Sequence, residues 1–169
     1  MKLYTKTGDK GTSGLLHGVR KPKTDIVFDV LGVIDELIAH IGVFRALCSA
    51  KVDMNQAFMS TSQNVQESLM DLGSVVAGME MQVESPTVIE NLIDYYESMN
   101  KPLTKFIIPG GCPLEAQMHV CRAVSRRLER LYLQLPEVDP TIQIFLNRLS
   151  DLFFAMARAV NTGTELYRS

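Results

Sequence analysis

The sequence predicts an all-α protein, a bundle of five helices of which four are long and one is shorter. Apolar residues recur at helical spacing in five separate stretches, and turn-forming residues fall between those stretches. With 169 residues, 46% of them hydrophobic and 21% charged, the chain suits a single globular domain with a sizeable core. We expect one domain over 1–169, made of an N-terminal loop (1–25), the bundle (26–161) and a polar tail (162–169).

The N-terminal loop is predicted because glycines interrupt it and no helical pattern begins there. It contains a run of hydroxyl, glycine and lysine residues: Thr5, Lys6, Thr7, Gly8, Asp9, Lys10 and Gly11. Hydroxyls, backbone N–H groups and lysines hold phosphate oxygens well where glycines let the backbone approach. The run is not a Walker motif, which requires a different spacing after a strand. On these residues alone, a terminus without a ligand remains the alternative.

The first helix is predicted over 26–49, with Asp35 on its apolar side beside Leu31 and Ile38. An unpaired carboxylate there is costly, so an arginine from another helix or another subunit is the expected partner. The alternative is that Asp35 lies at an exposed helix edge.

The second helix is predicted over 54–79, with Met59, Met70 and Met79 as core filler. The third and shorter helix covers 86–99, because Ser85 suits an N-cap and Pro86 a first turn. Residues 102–112 are predicted to form a buried connector, since no other apolar run is available to pair with them as a strand.

The fourth helix is predicted from Pro113 to about Leu135. At about 100° per residue, one sector holds a charged row: Arg122, Arg126, Glu129 and Arg130, with His119 one turn earlier. The opposite sector is predicted to pack and holds Val120, Val124, Leu128, Leu131 and Leu135. Arginine forks match phosphate or carboxylate oxygens in pairs, so the row suits an anion. The alternative is a solvated face of helix-internal ion pairs.

The last helix is predicted over 141–160 and is expected to be central, because apolar residues such as Ile144 go nearly all round it. Its polar stripe holds Asn147, Asp151 and Arg158, with Arg148 beside it. Polar groups on a central helix need partners, and the arginine row or the N-terminal loop would supply them.

Composition excludes several function classes. The net charge of −2 provides no basic field for nucleic acid, and no apolar run approaches membrane-spanning length. Cys48, Cys112 and Cys121 lack metal-ligand spacing, and an odd count without a signal peptide indicates reduced thiols in the cytoplasm. A leader that has already been removed remains compatible with this expectation. Cys121 is expected to be inert, and no Ser/His/Asp or Cys/His nucleophile set is visible. The residues by themselves therefore indicate a helical bundle that binds a polyphosphate.

Five motifs occur in order along the chain: Thr5–Gly11, Gly32–Leu37, Phe106–Gly111, His119–Arg130 and Leu146–Asp151. Together they resemble the ATP:cob(I)alamin (corrinoid) adenosyltransferases of the trimeric helical-bundle type, over nearly the whole chain. The resemblance implies that the cobalt of cob(I)alamin attacks C5′ of ATP, with Mg²⁺ present, giving adenosylcobalamin and triphosphate. It also implies a homotrimer with active sites between subunits, a flavin reductase as a possible partner, and an acceptor enzyme that depends on adenosylcobalamin.

The resemblance also implies residue roles. The 5–11 run would become ordered over ATP, and further ATP contacts would come from Lys23, Arg126, Arg127, Glu129, Arg130 and Asn147. Asp35 would pair with Arg122 across a subunit boundary, and Asp151 would contact cobalamin. Phe106 would fill the lower face of the corrin, keeping dimethylbenzimidazole off cobalt, and the resulting four-coordinate cob(II)alamin is easier to reduce. Phe106, Arg126, Asp35 and Arg122 would serve catalysis.

The chain departs from the family pattern at Val19, Ile38, His40, Cys112 and Leu131. These departures concern the cobalamin pocket and loop closure more than the reaction. Two alternatives from other classes stay open: a catalytically silent trimer that binds nucleotide or cobalamin as a sensor or carrier, and a structural trimer. The pathway served, the identity of the reductase and the number of filled sites are not implied.

Overall fold

In a computed structural model that describes residues 4, 6–50, 56–161 and 166–167, the chain forms five helices preceded by a hairpin. The elements are β1 (Thr12–Gly14), β2 (Arg20–Pro22), α1 (Ile26–Ser49), α2 (Gln56–Val76), α3 (Pro86–Glu97), α4 (Pro113–Tyr132) and α5 (Pro140–Val160). The predicted all-α bundle of four long helices and one shorter helix is confirmed.

The hairpin within the N-terminal loop was not predicted. Strand β1 pairs antiparallel with β2, and Gly14 lies opposite Arg20. The connection includes a single 3-10 turn in which His17 and Gly18 both adopt positive φ angles, of 55° and 75°. Strands of three residues are too short to leave a periodic pattern, so the sequence carries no signal for them.

Helix α5 is central. It packs against α4 and α3, while α1 packs against α4 and α2. Its buried residues include Phe145, Leu149, Leu152 and Met156, although Ile144, expected to belong to the apolar surface, is exposed. Among the described residues, no helix combines the length and apolar character that a bilayer crossing requires.

Side-chain caps define where the helices start. The Oδ1 atom of Asp25 accepts a hydrogen bond from Val27 N at 3.1 Å, which starts α1. Ser85 caps α3 with Pro86 in the first turn, as predicted. The Oδ1 atom of Asp139 accepts from Thr141 N at 2.6 Å and so starts α5. Each cap satisfies an N–H group that the helix leaves unpaired.

Two expectations about apolar segments were wrong. Helix α2 ends at Val76, before Gly78 (φ +107°). Met59 packs against the core as expected, but Met70 and Met79 are exposed rather than core filler. The connector after α3 is not buried, because Phe106 is 82% exposed. Two of its neighbours instead pair with the end of the chain: Ile107 forms a β-bridge with Tyr167, and Ile108 N donates to Leu166 O at 2.7 Å.

Replacing Asp139 by alanine is expected to lower the free energy of unfolding by about 1 kcal/mol, because the first turn of α5 loses its cap. Asp139→Asn keeps a capping oxygen and should stay within a few tenths of a kcal/mol of the wild type. Urea unfolding at one fixed protein concentration measures both. Equal losses in the two variants would show that capping is not what Asp139 contributes.

Candidate active site

The orientation of α4 decides which charged residues reach the surface. Its buried face contains Leu114, Met118, Cys121, Val124, Ser125, Leu128 and Tyr132. The face that was predicted to pack therefore differs from the observed one by a rotation about the helix axis. Val120, which was expected to pack, is 39% exposed, and His119, which was expected in the charged row, is only 5% exposed. The physical reason is that α4 contacts both α1 and α5. Two neighbouring helices bury a wider sector of α4 than a helical-wheel projection of α4 alone indicates.

The charged row lies beside this buried face and reaches α5. Arg126 and Arg130 are exposed, and Arg130 Nη1 donates to Arg126 O at 2.9 Å. Asn147 Nδ2 of α5 donates to Glu129 Oε1 at 2.8 Å. Two helices thus meet at residues for which the resemblance implies ATP contacts, and the hydrogen bond holds Glu129 and Asn147 together.

Arg148 extends this link and was missed as a site residue. It donates through Nη1 to Asn147 Oδ1 at 2.9 Å, while its Nε pairs with Glu90 of α3 at 3.0 Å. The amide of Asn147 is therefore held from both sides. The sequence feature that could have identified Arg148 is its place beside the polar stripe of α5.

The other two residues of the polar stripe of α5, Asp151 and Arg158, have different surroundings. Asp151 is exposed, whereas Arg158 is buried and donates to Lys101 O, with Glu97 at 3.7 Å. Arg158 therefore anchors the start of the connector instead of facing the arginine row or the loop. A helical-wheel projection shows which residues share one side of α5, but it does not show which neighbouring helix or loop covers each turn of that helix.

Arg127 points away from the row and forms an ion pair with Glu36 of α1. The side chains are 45% and 40% exposed, so the pair is solvated and adds little to stability. The resemblance implies an ATP contact for Arg127, but within the single chain its guanidinium group is engaged by Glu36, so we do not include Arg127 in the ATP site proposed below.

Asp35 and Arg122 do not pair within one chain. Asp35 is exposed, so the expectation of apolar surroundings that demand a partner is wrong for the single chain. Arg122 is half-buried, and its buried Nε has no hydrogen-bond partner among the described residues. A buried N–H of a guanidinium without an acceptor is costly. Their pairing across a subunit boundary stays a prediction.

The N-terminal loop is held by its own hairpin and by the end of α2. Arg20 Nη2 donates to Thr7 O at 2.8 Å and to Thr12 Oγ1 at 2.9 Å. The Nζ atom of Lys23 lies so close to Gly8 that a Cβ there would approach it to 3.2 Å. The lysine predicted for ATP therefore does lie against the predicted loop. Leu16 N donates to the carbonyl oxygen of Ala77 at 3.1 Å, which fixes the hairpin to the residue that directly follows α2.

The remaining loop residues of the predicted ATP site lie near this contact. Lys6, Asp9, Lys10 and Gly11 are exposed. Gly11 has φ +77° and its backbone N–H donates to Gly8 O at 3.2 Å, which forms a tight turn. Thr5 lies outside the described residues. Among the described residues, no hydrogen bond joins Lys6, Asp9 or Lys10 to the arginine row.

Two buried titratable groups lie beside the row. Burial holds the pKa of His119 below its usual range; the Glu115 carboxylate 3.2 Å away raises that pKa, and Arg122 lowers it further. Burial also raises the pKa of the Cys121 thiol to about 12, so this cysteine is unreactive, as expected.

An open cavity of about 950 Å³ lies elsewhere, among the hairpin, the end of α2 and the α4–α5 turn. It is lined by residues such as Lys21, Tyr132 and Glu137, and by none of the residues predicted to bind ATP or cobalamin. In the described part of the chain, no three His, Cys, Asp or Glu side chains cluster as metal ligands. The candidate active site is the place where α4 and α5 meet, marked by the Glu129–Asn147 hydrogen bond and the exposed Arg126 and Arg130.

Residues 3–160 match the family model described as cobalamin adenosyltransferase. The corrinoid adenosyltransferase MMAB of Homo sapiens is 40% identical, over 93% of this chain and 68% of that protein. The corrinoid adenosyltransferase of Bacillus subtilis (strain 168) is 38% identical, over 95% of this chain and 87% of that protein.

Solved structures agree with these relatives. A phenylalanine-to-histidine variant of the PduO-type ATP:corrinoid adenosyltransferase from Lactobacillus reuteri, complexed with cobalamin and ATP, matches with a TM-score of 0.90 and 30% identity, over 99% of this chain and 96% of that one. An arginine-to-lysine variant of the PduO-type adenosyltransferase from Lactobacillus reuteri, complexed with ATP, matches with a TM-score of 0.89 and 32% identity, over 99% of this chain and 100% of that one. The family motifs, the five-helix fold and these relatives together establish that the chain belongs to the cobalamin adenosyltransferase family.

Proposed function

We propose that the protein transfers the 5′-deoxyadenosyl group of ATP to cob(I)alamin. The electron pair of the reduced cobalt forms the Co–C5′ bond, the C5′–O5′ bond breaks, and its electron pair leaves with the triphosphate. The observation that carries this proposal is the exposed pair Arg126 and Arg130 beside the Glu129–Asn147 hydrogen bond, in a chain of this family.

The arginines meet the electrostatic demand of this reaction. Cobalt is the nucleophile, so the protein needs no activated serine or cysteine, and negative charge builds on the departing triphosphate. The guanidinium group of Arg126 has no hydrogen-bond partner among the described residues and is free to bind phosphate oxygens. Glu129 and Asn147 offer hydrogen-bonding groups to the rest of the nucleotide and are already held in place by each other.

The N-terminal loop supplies the second half of the proposed ATP site. In this proposal Thr5, Lys6, Thr7, Gly8, Asp9, Lys10, Gly11 and Lys23 close over the phosphates of ATP. The exposed lysines and the Lys23–Gly8 contact support the assignment. Within one chain the loop bonds to its own hairpin and to α2 rather than to the row. We therefore propose that loop and row meet across a subunit boundary.

A homotrimer is the assembly we propose. The outer face of α1 exposes mostly small residues, namely Gly32, Asp35, Ala39, Val43 and Ala46. Helix α4 exposes Val120 and Ala123 beside Arg122, whose buried Nε lacks an acceptor. Close approach of a second subunit to these surfaces would bring a carboxylate such as Asp35 to Arg122 and satisfy that group.

Phe106 is proposed to lie against the lower face of the corrin. Its ring is 82% exposed, which is unusual for phenylalanine and suits a surface that waits for an apolar ligand. The phenylalanine and the arginine substituted in the solved relatives are twenty positions apart, the same separation as Phe106 and Arg126. Keeping dimethylbenzimidazole off cobalt makes cob(II)alamin easier to reduce. Asp151, exposed on α5, is the further cobalamin contact in this proposal.

We propose that Mg²⁺ accompanies the phosphates of ATP, since this ion usually binds through one or two carboxylates plus substrate phosphates and needs no cage of protein ligands. Glu129 is the carboxylate within the arginine row and would help to hold the ion. When bound, the ion would neutralise negative charge on the phosphates. A flavin reductase and an acceptor enzyme that depends on adenosylcobalamin are proposed partners. We propose a cytoplasmic location because all three cysteines are free thiols.

The deciding experiment mixes the protein with ATP, Mg²⁺ and chemically reduced cob(I)alamin without oxygen and follows the corrin absorbance. We expect adenosylcobalamin and triphosphate in equal amounts. Binding of ATP and cobalamin without any product would instead identify a silent sensor or carrier, and binding of neither would identify a structural protein.

Arg126→Ala is expected to lower kcat/KM by roughly 100-fold or more, because the site loses a donor aimed at the triphosphate. Arg127→Ala is the matched control: it removes the same charge one residue away, and breaking the exposed pair with Glu36 should cost at most about 1 kcal/mol of stability. Steady-state kinetics and urea unfolding measure the two effects. Similar kinetic losses in both variants would contradict the assignment of Arg126.

Phe106→Ala is expected to keep the wild-type affinity for ATP and to lose most activity when cob(II)alamin must be reduced on the enzyme. Chemically reduced cob(I)alamin should restore much of the rate, because the step that depends on Phe106 is bypassed. Calorimetry with ATP and parallel assays with the two cobalt states provide the comparison. Unchanged turnover of cob(II)alamin would remove Phe106 from the site.

Sedimentation velocity should detect a trimer. Arg122→Ala should shift the population towards smaller species, because the proposed boundary loses its ion pair with Asp35. Arg127→Ala is a control, since the guanidinium group of Arg127 is engaged by Glu36 of its own chain. A monomeric wild-type protein would contradict the proposed assembly.

A further inference from the structure

The turn that follows Phe106 is held by one buried carboxylate. Glu115 is 2% exposed, and its Oε2 atom accepts hydrogen bonds from three successive backbone N–H groups: Gly110 at 3.1 Å, Gly111 at 2.6 Å and Cys112 at 3.3 Å. Three donors converging on one oxygen give charge-assisted bonds to a carboxylate. They offset part of the cost of burying the carboxylate, whose other oxygen, Oε1, lies 3.2 Å from His119 Nε2.

Helix capping explains only part of this arrangement. Cys112 is the N-cap of α4; its Sγ accepts from Glu115 N at 3.4 Å, and the carboxylate of Glu115 returns a bond to Cys112 N. That reciprocal pair is a capping box. The bonds from Gly110 and Gly111 lie outside the helix, in the turn that leads back to Phe106. Gly110 has φ +137°, a conformation available essentially to glycine, so the turn has a defined and unusual shape.

The segment with Phe106 is also fixed on its other sides. Asn100 Nδ2 donates to Ala155 O at 3.1 Å near the start of the connector. Ile108 N donates to Leu166 O at 2.7 Å, between Phe106 and the turn. Phe106 itself stays 82% exposed, so packing does little to hold its ring. The backbone on both sides of Phe106 therefore determines where its Cβ atom lies and which positions the ring can reach.

We propose that Glu115 is a positioning residue for the transfer reaction: its buried carboxylate holds the 110–112 turn and thereby places Phe106 against the corrin. This inference rests on the proposed function for the identity of the ligand. It assigns Glu115 no contact with substrate. The effect of Glu115 on turnover passes through Phe106, which separates it from a residue that merely stabilises α4.

Glu115→Gln is the principal test, because it keeps the size of the side chain and removes the charge that three N–H groups share. Turnover of cob(II)alamin should fall by about tenfold or more, as expected when a reacting group is misplaced. The affinity for ATP should stay within about twofold, and chemically reduced cob(I)alamin should restore much of the rate, as for Phe106→Ala. Glu67→Gln, the same change at an exposed position of α2, should match the wild type.

A double-mutant cycle with Phe106→Ala separates positioning from a general structural role. If Glu115 acts through Phe106, Glu115→Gln should reduce turnover of cob(II)alamin by less than about twofold in the Phe106→Ala background. A full additional loss there would overturn the proposal. So would a Glu115→Gln variant with wild-type turnover of cob(II)alamin.

Amide hydrogen exchange tests the anchor without any catalysis. Glu115→Gln should speed exchange at Gly110 and Gly111 while amides in the middle of α4 remain protected. Unchanged exchange would overturn the proposal even in an active enzyme. If Glu115→Gln unfolds, Glu115→Asp, which keeps the charge but shortens its reach, takes its place in every assay. A wild-type protein that makes no adenosylcobalamin would refute the proposed function, whereas the exchange experiment would still decide the role of Glu115 in the turn.

Discussion

The packing of α4 against both α1 and α5 is the constraint on which the candidate site depends. Met118, Cys121 and Leu128 are wholly buried, so the rotation of α4 about its axis is determined by its apolar residues. A rotation that exposed these side chains would cost several kcal/mol. The charged residues therefore occupy the one sector that the neighbours leave open, and the position of the arginine row follows from core packing.

Contacts between helices then decide which charges remain available. Arg127 is engaged by Glu36 and Arg148 by Glu90, whereas Arg126 and Arg130 project from the same surface without carboxylate partners among the described residues. Glu129 and Asn147 bind each other across the α4–α5 boundary. A stretch with four similar arginines thus divides into a residue that ties helices together, one that is half-buried, and two that face outward.

The presence of the helices and the residues at which they start could be predicted from local sequence features. Ser85, Pro86 and the break before Pro113 predicted ends that the structure places within a few residues. The burial of single residues was less readable, because burial depends on two or three neighbours at once. Val120 was expected to pack and is exposed, His119 was expected among the charges and is buried, and the connector expected to be buried presents Phe106 to the surface.

By itself the sequence determined the five helices, their order along the chain, and the family, because caps, helical periodicity and ordered motifs are local properties of the chain. The tertiary structure decided how the charged stretch is used. It turned Arg126 and Arg130 outward, directed Arg127 to α1, joined Glu129 to Asn147, and buried Glu115 under the turn beyond Phe106. These outcomes depend on which helices and loops meet, since a side chain receives its partners from elements distant in sequence.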